Sequence, residues 1–261
     1  MIKALNTAAS GMQAQQTNMD VVSNNLANVN TTAFKKSRAE FEELMYQTIK
    51  EPGATTGLNA VSPTGVQVGL GVKTASTQKS FEQGSIKQTD KPLDMQIEGN
   101  GFFIVQMPNG QTAYTRDGTF RKDGQGRIVD KNGNVLQPEM TIPRESIGIS
   151  ISPEGVVEVK TTDGPDVQVL GQIELANFVN PVGLKSIGAN LYVPSPASGA
   201  AFQALPGTEN LGRVAQGQLE MSNVNLVDEM VNMISAQRAY ETNSKAVQAA
   251  DQMLQAINSL R

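Results

Sequence analysis

Apolar residues recur every seven positions at both ends of this chain, and this repeat constrains the fold more than any other feature. At the C-terminal end it runs from Asn225, a good N-cap residue, to Arg261 without Gly or Pro. Alternating spacings of three and four are typical of helices that pack along a narrow seam, as in coiled coils. The predicted C-terminal seam consists of Leu226, Met233, Ala236, Tyr240, Val247, Ala250, Leu254 and Ile257, with polar Asn243 among them.

A second helix with the same spacing is predicted over residues 3–30. Its seam consists of Leu5, Ala8, Met12, Met19, Val22, Leu26 and Val29, interrupted by Gln15. A stripe this narrow is stable only when it is buried against another helix, so we expect the two ends of the chain to pair. Two ordinary core helices of a globular fold would also show such stripes, but here both ends carry the pattern and the middle does not.

The middle of the chain has the composition of strands and turns. All 12 prolines and 23 of the 24 glycines lie between Pro52 and Gly217. Pro108-Asn109-Gly110 separates two apolar pairs, Ile104-Val105 and Ala113-Tyr114, as a hairpin turn does. The sequence therefore predicts an α+β fold, in which paired N- and C-terminal helices form a discontinuous, coiled-coil-like domain and the middle domain is mainly antiparallel β.

Four segments are expected along the chain. They are residues 1–33, the N-terminal helix of the terminal domain; 34–66, a short helix plus an extended connecting segment; 67–220, a β-rich outer domain; and 221–261, the C-terminal helix. Within the second segment, the apolar spacing predicts a helix over Phe34–Tyr46. Glu51–Val66 has the composition of a flexible linker, or of a segment that becomes ordered on docking.

The residues needed for most active sites are missing. The chain has no cysteine and no histidine, which removes thiolate nucleophiles, the commonest general base and the usual transition-metal ligands. Asp130 could begin a calcium loop, but Val135 replaces the required glycine and Thr141 the final glutamate. No phosphate-binding motif is present, and no pair of carboxylates is singled out. We predict no catalytic, cofactor or metal site.

Charge and hydropathy exclude two further classes of partner. The net charge of −4 gives no reason to expect a nucleic acid partner. No stretch is apolar enough to span a bilayer, so no membrane insertion is expected. The N-terminus, MIKALNTAASGMQAQQ, lacks the continuous apolar run of a cleavable signal peptide, so we expect export, if any, to proceed without one.

Four motifs are similar to those of a known family. The stretches Gln15–Phe34 (QQTNMDVVSNNLANVNTTAF) and Leu219–Ala246 (LEMSNVNLVDEMVNMISAQRAYETNSKA) resemble the terminal signatures of bacterial flagellar rod and hook proteins. Gly99–Phe103 (GNGFF) and Ala113–Phe120 (AYTRDGTF) also resemble this family. The resemblance covers the whole chain, and the length is typical of the distal rod branch, since hook proteins are longer.

The resemblance implies a structural subunit and no enzymatic activity. Family members leave the cell through the flagellar type III export apparatus and assemble with copies of themselves into a helical tube in the basal body. Distal rod subunits form a straight, rigid tube that spans the periplasm and transmits motor torque to the hook. Implied partners are copies of the chain, the proximal rod, the hook and hook-junction-side axial proteins, and the ring (bushing) proteins around the rod.

Several alternatives stay open at this point. Within the family, the chain could be a hook-type or a proximal rod subunit. From other classes, a secreted binding module and a peptidoglycan hydrolase are the alternatives.

One segment is the candidate for the stiffness of the tube. We hypothesise that Tyr46–Gly65, which includes Pro52, Gly53 and Pro63, lies across adjacent subunits and blocks the sliding that lets a hook bend.

Overall fold

The computed structural model describes residues 2–53, 55–57, 60–61, 63–161 and 167–259 of the chain. Within this part, two long helices, α1 (Ile2–Ala27) and α2 (Leu226–Ser259), flank a middle built of strands and one short 3-10 turn, Pro181–Gly183. The strand pairs are antiparallel, so the predicted α+β class with an antiparallel middle is confirmed.

The residues divide into two compact units. Unit 1 comprises Met1–Ala27, Ser37–Lys79 and Asn225–Arg261, and unit 2 comprises Asn28–Lys36 and Ser80–Val224. The strands of unit 1 are β1 (Ser37–Glu43), β2 (Tyr46–Lys50), β3 (Thr55–Gly57), β4 (Ala60–Val61), β5 (Val66–Gly69) and β6 (Val72–Lys79). Those of unit 2 are β7 (Ile86–Gln88), β8 (Met95–Glu98), β9 (Phe102–Gln106), β10 (Thr112–Thr115), β11 (Arg121–Lys122), β12 (Ile128–Val129), β13 (Val135–Leu136), β14 (Ser146–Ile151), β15 (Val156–Thr161), β16 (Val167–Gln172), β17 (Leu175–Asn177), β18 (Lys185–Gly188), β19 (Leu191–Val193), β20 (Phe202–Ala204), β21 (Arg213–Gln216) and β22 (Gln218–Glu220).

Local hydrogen bonds set the end of α1 and the beginning of α2. After α1, the Thr31 amide and hydroxyl both donate to Asn28, at 3.1 Å each, so the chain turns instead of continuing the helix. Before α2, the Asn225 side-chain oxygen accepts the amide of Val227 at 3.1 Å. This contact confirms the predicted N-cap, and Asp228 and Glu229 follow in the first turn, where the helix dipole favours negative charge.

The described residues between Ser37 and Lys79 form three consecutive two-stranded antiparallel pairs in unit 1, together called the ribbon below. β1 pairs with β6, β2 with β5, and β3 with β4. The helix predicted over Phe34–Tyr46 is therefore wrong. Periodicity within one segment detects only near neighbours, whereas the hydrogen-bonded partner of β1 lies about 35 residues further along the chain. The predicted linker, Glu51–Val66, includes β3, β4 and the first residue of β5.

Unit 2 holds the dense core of the molecule. Its largest sheet has nine strands, in the order β11-β12-β13-β9-β10-β19-β18, with β17 and β20 attached through β9. The predicted hairpin is confirmed, since Val105 pairs with Ala113 and Ile104 with Tyr114. A second sheet, β14-β15-β16, and the pairs β8–β21 and β7–β22 complete the unit.

Side chains from these strands fill two apolar clusters. Phe103 and Phe120, in the larger cluster, meet edge to face with ring centroids 5.2 Å apart. In the smaller cluster, the rings of Phe102 and Phe178 meet in the same way at 5.8 Å. Such pairs add to the apolar burial that stabilises the unit.

Candidate assembly surface

The two long helices pair antiparallel inside unit 1. A β-carbon on Gly11 would lie 2.9 Å from the side-chain amide of Asn243, and Asn25 donates to Glu229 at 3.2 Å. Between these contacts, α1 advances by the same number of residues by which α2 retreats, so the helices run in opposite directions. The same register places Asn18 opposite Ala236.

This contact series lies one position before the predicted N-terminal seam. Gly11, Asn18 and Asn25 each directly precede a predicted seam residue, and adjacent residues of a helix point about 100° apart. The residues of α1 that lie opposite α2 in this contact series, here called the rungs, are thus small or polar. In the isolated chain most of the predicted N-terminal seam is only half-buried: Leu5, Ala8, Met12, Met19 and Leu26. Val22 is buried, and Val29 lies beyond the end of α1.

The predicted C-terminal seam is divided along its length. Ala236 and Ala250 are buried, and Met233, Val247 and Leu254 are half-buried. Leu226 and Tyr240 are 46% and 38% exposed. The side chain of Ile257 lies outside the described residues. Small residues occupy the closest positions of this face, because they let two helix backbones approach.

Asn25 joins the three parts of unit 1. Its side chain is buried, donates to the Ser37 carbonyl at 2.8 Å and accepts the Ser37 amide at 2.9 Å. The same amide group donates to Glu229 of α2. One residue of α1 therefore binds both the start of the ribbon and the first turns of α2.

The ribbon runs along α1 from this point. Val72 donates its amide to the Ser10 hydroxyl at 3.4 Å, and Lys3 donates to Gln47 near the N-terminus of α1. From Asn25 to Lys3 the helix rises by about 33 Å, and the strand from Ser37 to Gln47 covers about the same distance. The ribbon thus reaches the beginning of α1 near Gln47; its part from Met45 to Gly69 is called the outer ribbon below.

The described side chains of the outer ribbon are mostly exposed and partly apolar. Met45, Tyr46 and Ile49 are 83%, 52% and 66% exposed, and Val66 and Val68 are also exposed. The candidate stiffening residues Tyr46, Pro52, Gly53, Pro63 and Gly65 lie here; all except Gly65, which is half-buried, are exposed. Tyr46 donates its hydroxyl to Glu43 at 2.6 Å, a hydrogen bond that raises the pKa of the tyrosine.

The first turns of α2 carry an unpartnered apolar face. Met230, Ile234 and Val231 are 50%, 48% and 56% exposed. With Leu226 and Val227 they form one contiguous surface, called the α2 face below, because positions spaced by three and four share a side of a helix. Contiguous exposed apolar residues of this kind mark interaction sites.

The candidate metal loop is built as a turn. Asp130 accepts the backbone amides of Asn132 and Asn134 at 2.7 and 3.0 Å, and it also accepts the side-chain amide of Asn134. Within the described ranges, no cluster of three or more acidic side chains is arranged to hold a metal ion. None of the described helices has the length and hydropathy needed to cross a membrane.

Comparisons with known proteins match both the helical ends and the β middle. Residues 5–35 match the model for flagella basal body rod proteins, and residues 215–260 match the C-terminal model of the flagellar basal body rod FlgEFG proteins. Residues 96–159 match the D1 domain of the flagellar hook protein FlgE/F/G family.

Full-length relatives agree with these matches. The flagellar basal-body rod protein FlgG of Caulobacter vibrioides is 50% identical over 261 residues, covering all of both chains. The chain belongs to the flagellar basal-body rod protein family. FlgG of Borreliella burgdorferi is 50% identical over 263 residues, covering all of this chain and 99% of its own. The hook-basal body complex protein FlhP of Bacillus subtilis is 33% identical over 280 residues, covering both chains fully.

This membership confirms the resemblance of the sequence motifs and assigns the chain to the flagellar basal body, as a structural subunit of the rod. The family signature at the N-terminal end, Gln15–Phe34, contains Asn18 and Asn25, which make or face the rungs to α2. The C-terminal signature, Leu219–Ala246, contains Glu229, Ala236 and Asn243 on the opposite helix. The two terminal family motifs therefore include the residues that pair α1 with α2, whereas the other two, Gly99–Phe103 and Ala113–Phe120, lie in unit 2.

Sequence reasoning missed the polar contacts of this pair. Glu229 is not among the predicted seam residues, although it lies seven residues before Ala236 and therefore belongs to the same helix stripe. Asn25 gave no apolar signal. A search for polar residues at the extrapolated heptad positions of both ends would have found Glu229, and Asn25 would follow from it as a hydrogen-bonding partner.

Proposed function

We propose that this chain is the subunit of the distal rod, which polymerises into a straight, rigid helical tube and transmits motor torque to the hook. Its role is structural and non-catalytic. The observation that carries the proposal is the incomplete burial of unit 1. The α2 face, the half-buried seam of α1 and the outer ribbon all expose apolar residues that a single copy does not cover.

Neighbouring copies of the chain would bury these exposed apolar surfaces. Because the exposed surfaces differ from one another, a contact between two of them is heterologous, and heterologous contacts that do not close produce open helical filaments. Helices in proteins gain most of their stability from packing of their apolar face. Because much of that face is exposed in α1 and α2, polymerisation would stabilise both helices. The predicted seam residues of both helices would then contact neighbouring copies.

The remaining partners follow from this position in the rod. They are the proximal rod, the hook and hook-junction-side axial proteins, the ring proteins around the rod, and the type III export apparatus that delivers the subunit. The four-segment division of the chain also remains a prediction.

A double substitution on the α2 face tests the proposal. Met230→Glu with Ile234→Glu places two charges on this face, and because both residues are already exposed, the unfolding free energy of the free subunit should change by less than about 0.5 kcal/mol. Electron microscopy of basal bodies should show that rods are missing, and cells should not swim.

The matched control is Gln248→Glu with Gln252→Glu. Both glutamines are exposed, lie on the same helix and have the same spacing, so the control adds the same charge away from the α2 face. Normal rods are expected from it. If the double variant of Met230 and Ile234 also builds normal rods, the α2 face is not an assembly surface and the proposal loses its support.

We also propose that the segment Tyr46–Gly65 of the outer ribbon stiffens the rod by lying across neighbouring subunits. Since Gln47 pairs with Val68 and Tyr46 with Gly69, residues 47–68 can be excised and Tyr46 joined to Gly69 through an Asn-Gly turn, which leaves β1 paired with β6. Rods of this variant should curve in electron micrographs, whereas Thr48→Val, which keeps the ribbon length, should leave them straight. Straight rods from the excised variant would refute the stiffening role.

A further inference from the structure

Three segments of unit 2 meet at Glu220, and each lies next to a point where the chain passes into unit 1. The segments are residues 33–36, 80–85 and 220–223. The chain passes between the units next to them, after Lys36, Lys79 and Val224, and also after Ala27. Backbone hydrogen bonds join the segments: the Ala33 amide donates to the Glu220 carbonyl at 2.8 Å, and the Met221 amide donates to Ser85 at 2.8 Å.

The Glu220 carboxylate lies between two buried cations. Its Oε1 atom is 2.5 Å from Lys35 Nζ, and its Oε2 atom is 3.5 Å from Arg116 Nη1. All three side chains are almost fully buried: Lys35 is 0% exposed in this pair, Glu220 is 1% exposed and Arg116 is 3% exposed. The carboxylate also accepts the Gly84 amide at 3.0 Å.

The two cations are tied to further backbone groups. Lys35 Nζ donates to the Glu82 carbonyl at 2.6 Å, and Arg116 donates to the Gly99 carbonyl at 2.7 Å. Burial lowers the pKa of both Lys35 and Arg116, while the charge of Glu220 acts in the opposite direction. Removing one partner of a buried ion pair is costly, because the remaining charge stays in a medium of low polarity. Glu220 is therefore the anion on which both cations depend.

Asn223 adds a neutral link between the same segments. Its side-chain oxygen accepts the Lys36 amide at 2.8 Å. Its side-chain nitrogen donates to the carbonyls of Ser80 and Glu82, at 3.0 and 3.1 Å. One side chain thus bridges the last residue before the ribbon and the first residues after it.

An apolar cluster would stabilise the unit as well or better, since well-packed hydrophobic residues often replace a buried ion pair at no cost. What a polar cluster adds is a defined relative position of the segments, because its hydrogen bonds and ion pairs form only when the partner groups are correctly placed. We propose that Lys35, Glu220, Arg116 and Asn223 form a polar clamp that holds the three segments of unit 2 together where the chain passes into unit 1. In the rod, this clamp carries load between the units.

The load-bearing part of the inference rests on the proposed function. The ribbon and α2 are each connected to unit 2 through clamped residues, Lys36, Ser80 and Asn223. Any force that travels along these connections enters unit 2 at the clamp. A subunit that transmits torque needs several strong contacts at the place where force enters unit 2. Without them, the hydrogen bonds of the connecting segments would break one after another.

Hydrogen exchange of the full-length protein tests the clamp itself. In Glu220→Gln, the amides of Ala33, Ser80 and Met221 should exchange at least tenfold faster than in the wild type, while the Ala113 amide of the β9–β10 hairpin changes much less. Asn223→Ala, at a half-buried site, is the milder variant and should show the same local pattern. Equal acceleration throughout unit 2 in both variants would overturn the clamp.

Asp123→Asn is the matched control. Asp123 is also an acid of unit 2 that pairs with an arginine, Arg127, at 2.9 Å, but it lies in a surface turn. This variant should leave the exchange of Ala33, Ser80 and Met221 unchanged. If it accelerates them as Glu220→Gln does, the effect is one of general charge loss and the clamp is refuted.

Rotation of tethered cells tests the load. Cells with Asn223→Ala should assemble rods and rotate normally at low load, but should lose at least half of their torque in viscous medium. Unchanged torque despite faster local exchange would overturn the load-bearing role and leave the proposed function intact. Intact rods in cells that lack the whole chain would instead overturn the proposed function.

Discussion

The two units of this protein each contain a buried polar centre, but the surroundings of the two centres differ. Asn25 in unit 1 binds α2 and the ribbon within a thin layer of half-buried side chains. Glu220 in unit 2 lies beside two apolar clusters whose members are almost all inaccessible. Unit 2 therefore holds two dense apolar clusters, whereas the helices and the ribbon of unit 1 are mostly half-buried or exposed. This difference is the reason for placing the proposed assembly contacts in unit 1.

The largest contrast is expected from truncations of apolar side chains. Phe103→Ala removes a ring that is 0% exposed and should lower the unfolding free energy of unit 2 by about 3–5 kcal/mol. Met233→Ala, in the half-buried seam of α2, should lower that of the free subunit by no more than about 1 kcal/mol. Urea unfolding followed by circular dichroism measures both. Similar losses for the two variants would show that unit 1 is as well packed as unit 2.

Glycine substitutions should give the next largest contrast. A β-carbon on Gly118 would lie 1.6 Å from the Met95 carbonyl oxygen, so Gly118→Ala forces the backbone apart and should lower stability by about 3 kcal/mol or more. On Gly11 it would meet only the end of the Asn243 side chain, which can rotate away.

Because alanine also favours the helix, Gly11→Ala should change stability by less than about 1 kcal/mol. Thermal unfolding of the two variants compares them directly. A large loss from Gly11→Ala would mean that the helix pair of unit 1 is as rigid as the sheet of unit 2.

The smallest contrast concerns two tyrosines at alkaline pH. Burial raises the pKa of Tyr192 in unit 2 to about 12, above its ordinary value near 10. The folded state therefore holds this proton more tightly than the unfolded state, so its contribution is complete below pH 10 and is lost as the pH rises toward 12, at a cost of about 2–3 kcal/mol. Tyr192→Phe should remove this loss.

Tyr46 in unit 1 is the control for that measurement. Its pKa is raised by the hydrogen bond to Glu43, but the ring is exposed, so Tyr46→Phe should leave the alkaline loss unchanged. Urea unfolding at pH 9, 10, 11 and 12 compares the two variants with the wild type. If both substitutions flatten the pH profile equally, burial is not what distinguishes the tyrosines.

Local pattern was enough to predict the elements whose stability is local. The N-cap at Asn225 and the hairpin between Val105 and Ala113 both follow from residues within a few positions of one another. The family motifs were equally visible, since each is a continuous stretch of sequence. These features explain why the α+β class and the family were predicted correctly.

Contacts between distant residues were not predictable in the same way. The sequence by itself determined that two seven-residue repeats frame a β-rich middle and that chemistry based on Cys or His is excluded. Only the tertiary structure decided that residues 37–43 form a strand, that the rungs to α2 lie one position before the apolar stripe, and that Lys35 meets Glu220 across 185 residues. The physical reason is the same in each case. Each of these features depends on which distant residues the fold brings into contact: the partner of a strand, the neighbour that a helix faces, or the opposite charge of a buried ion. Periodicity within a single segment carries no information about such distant residues.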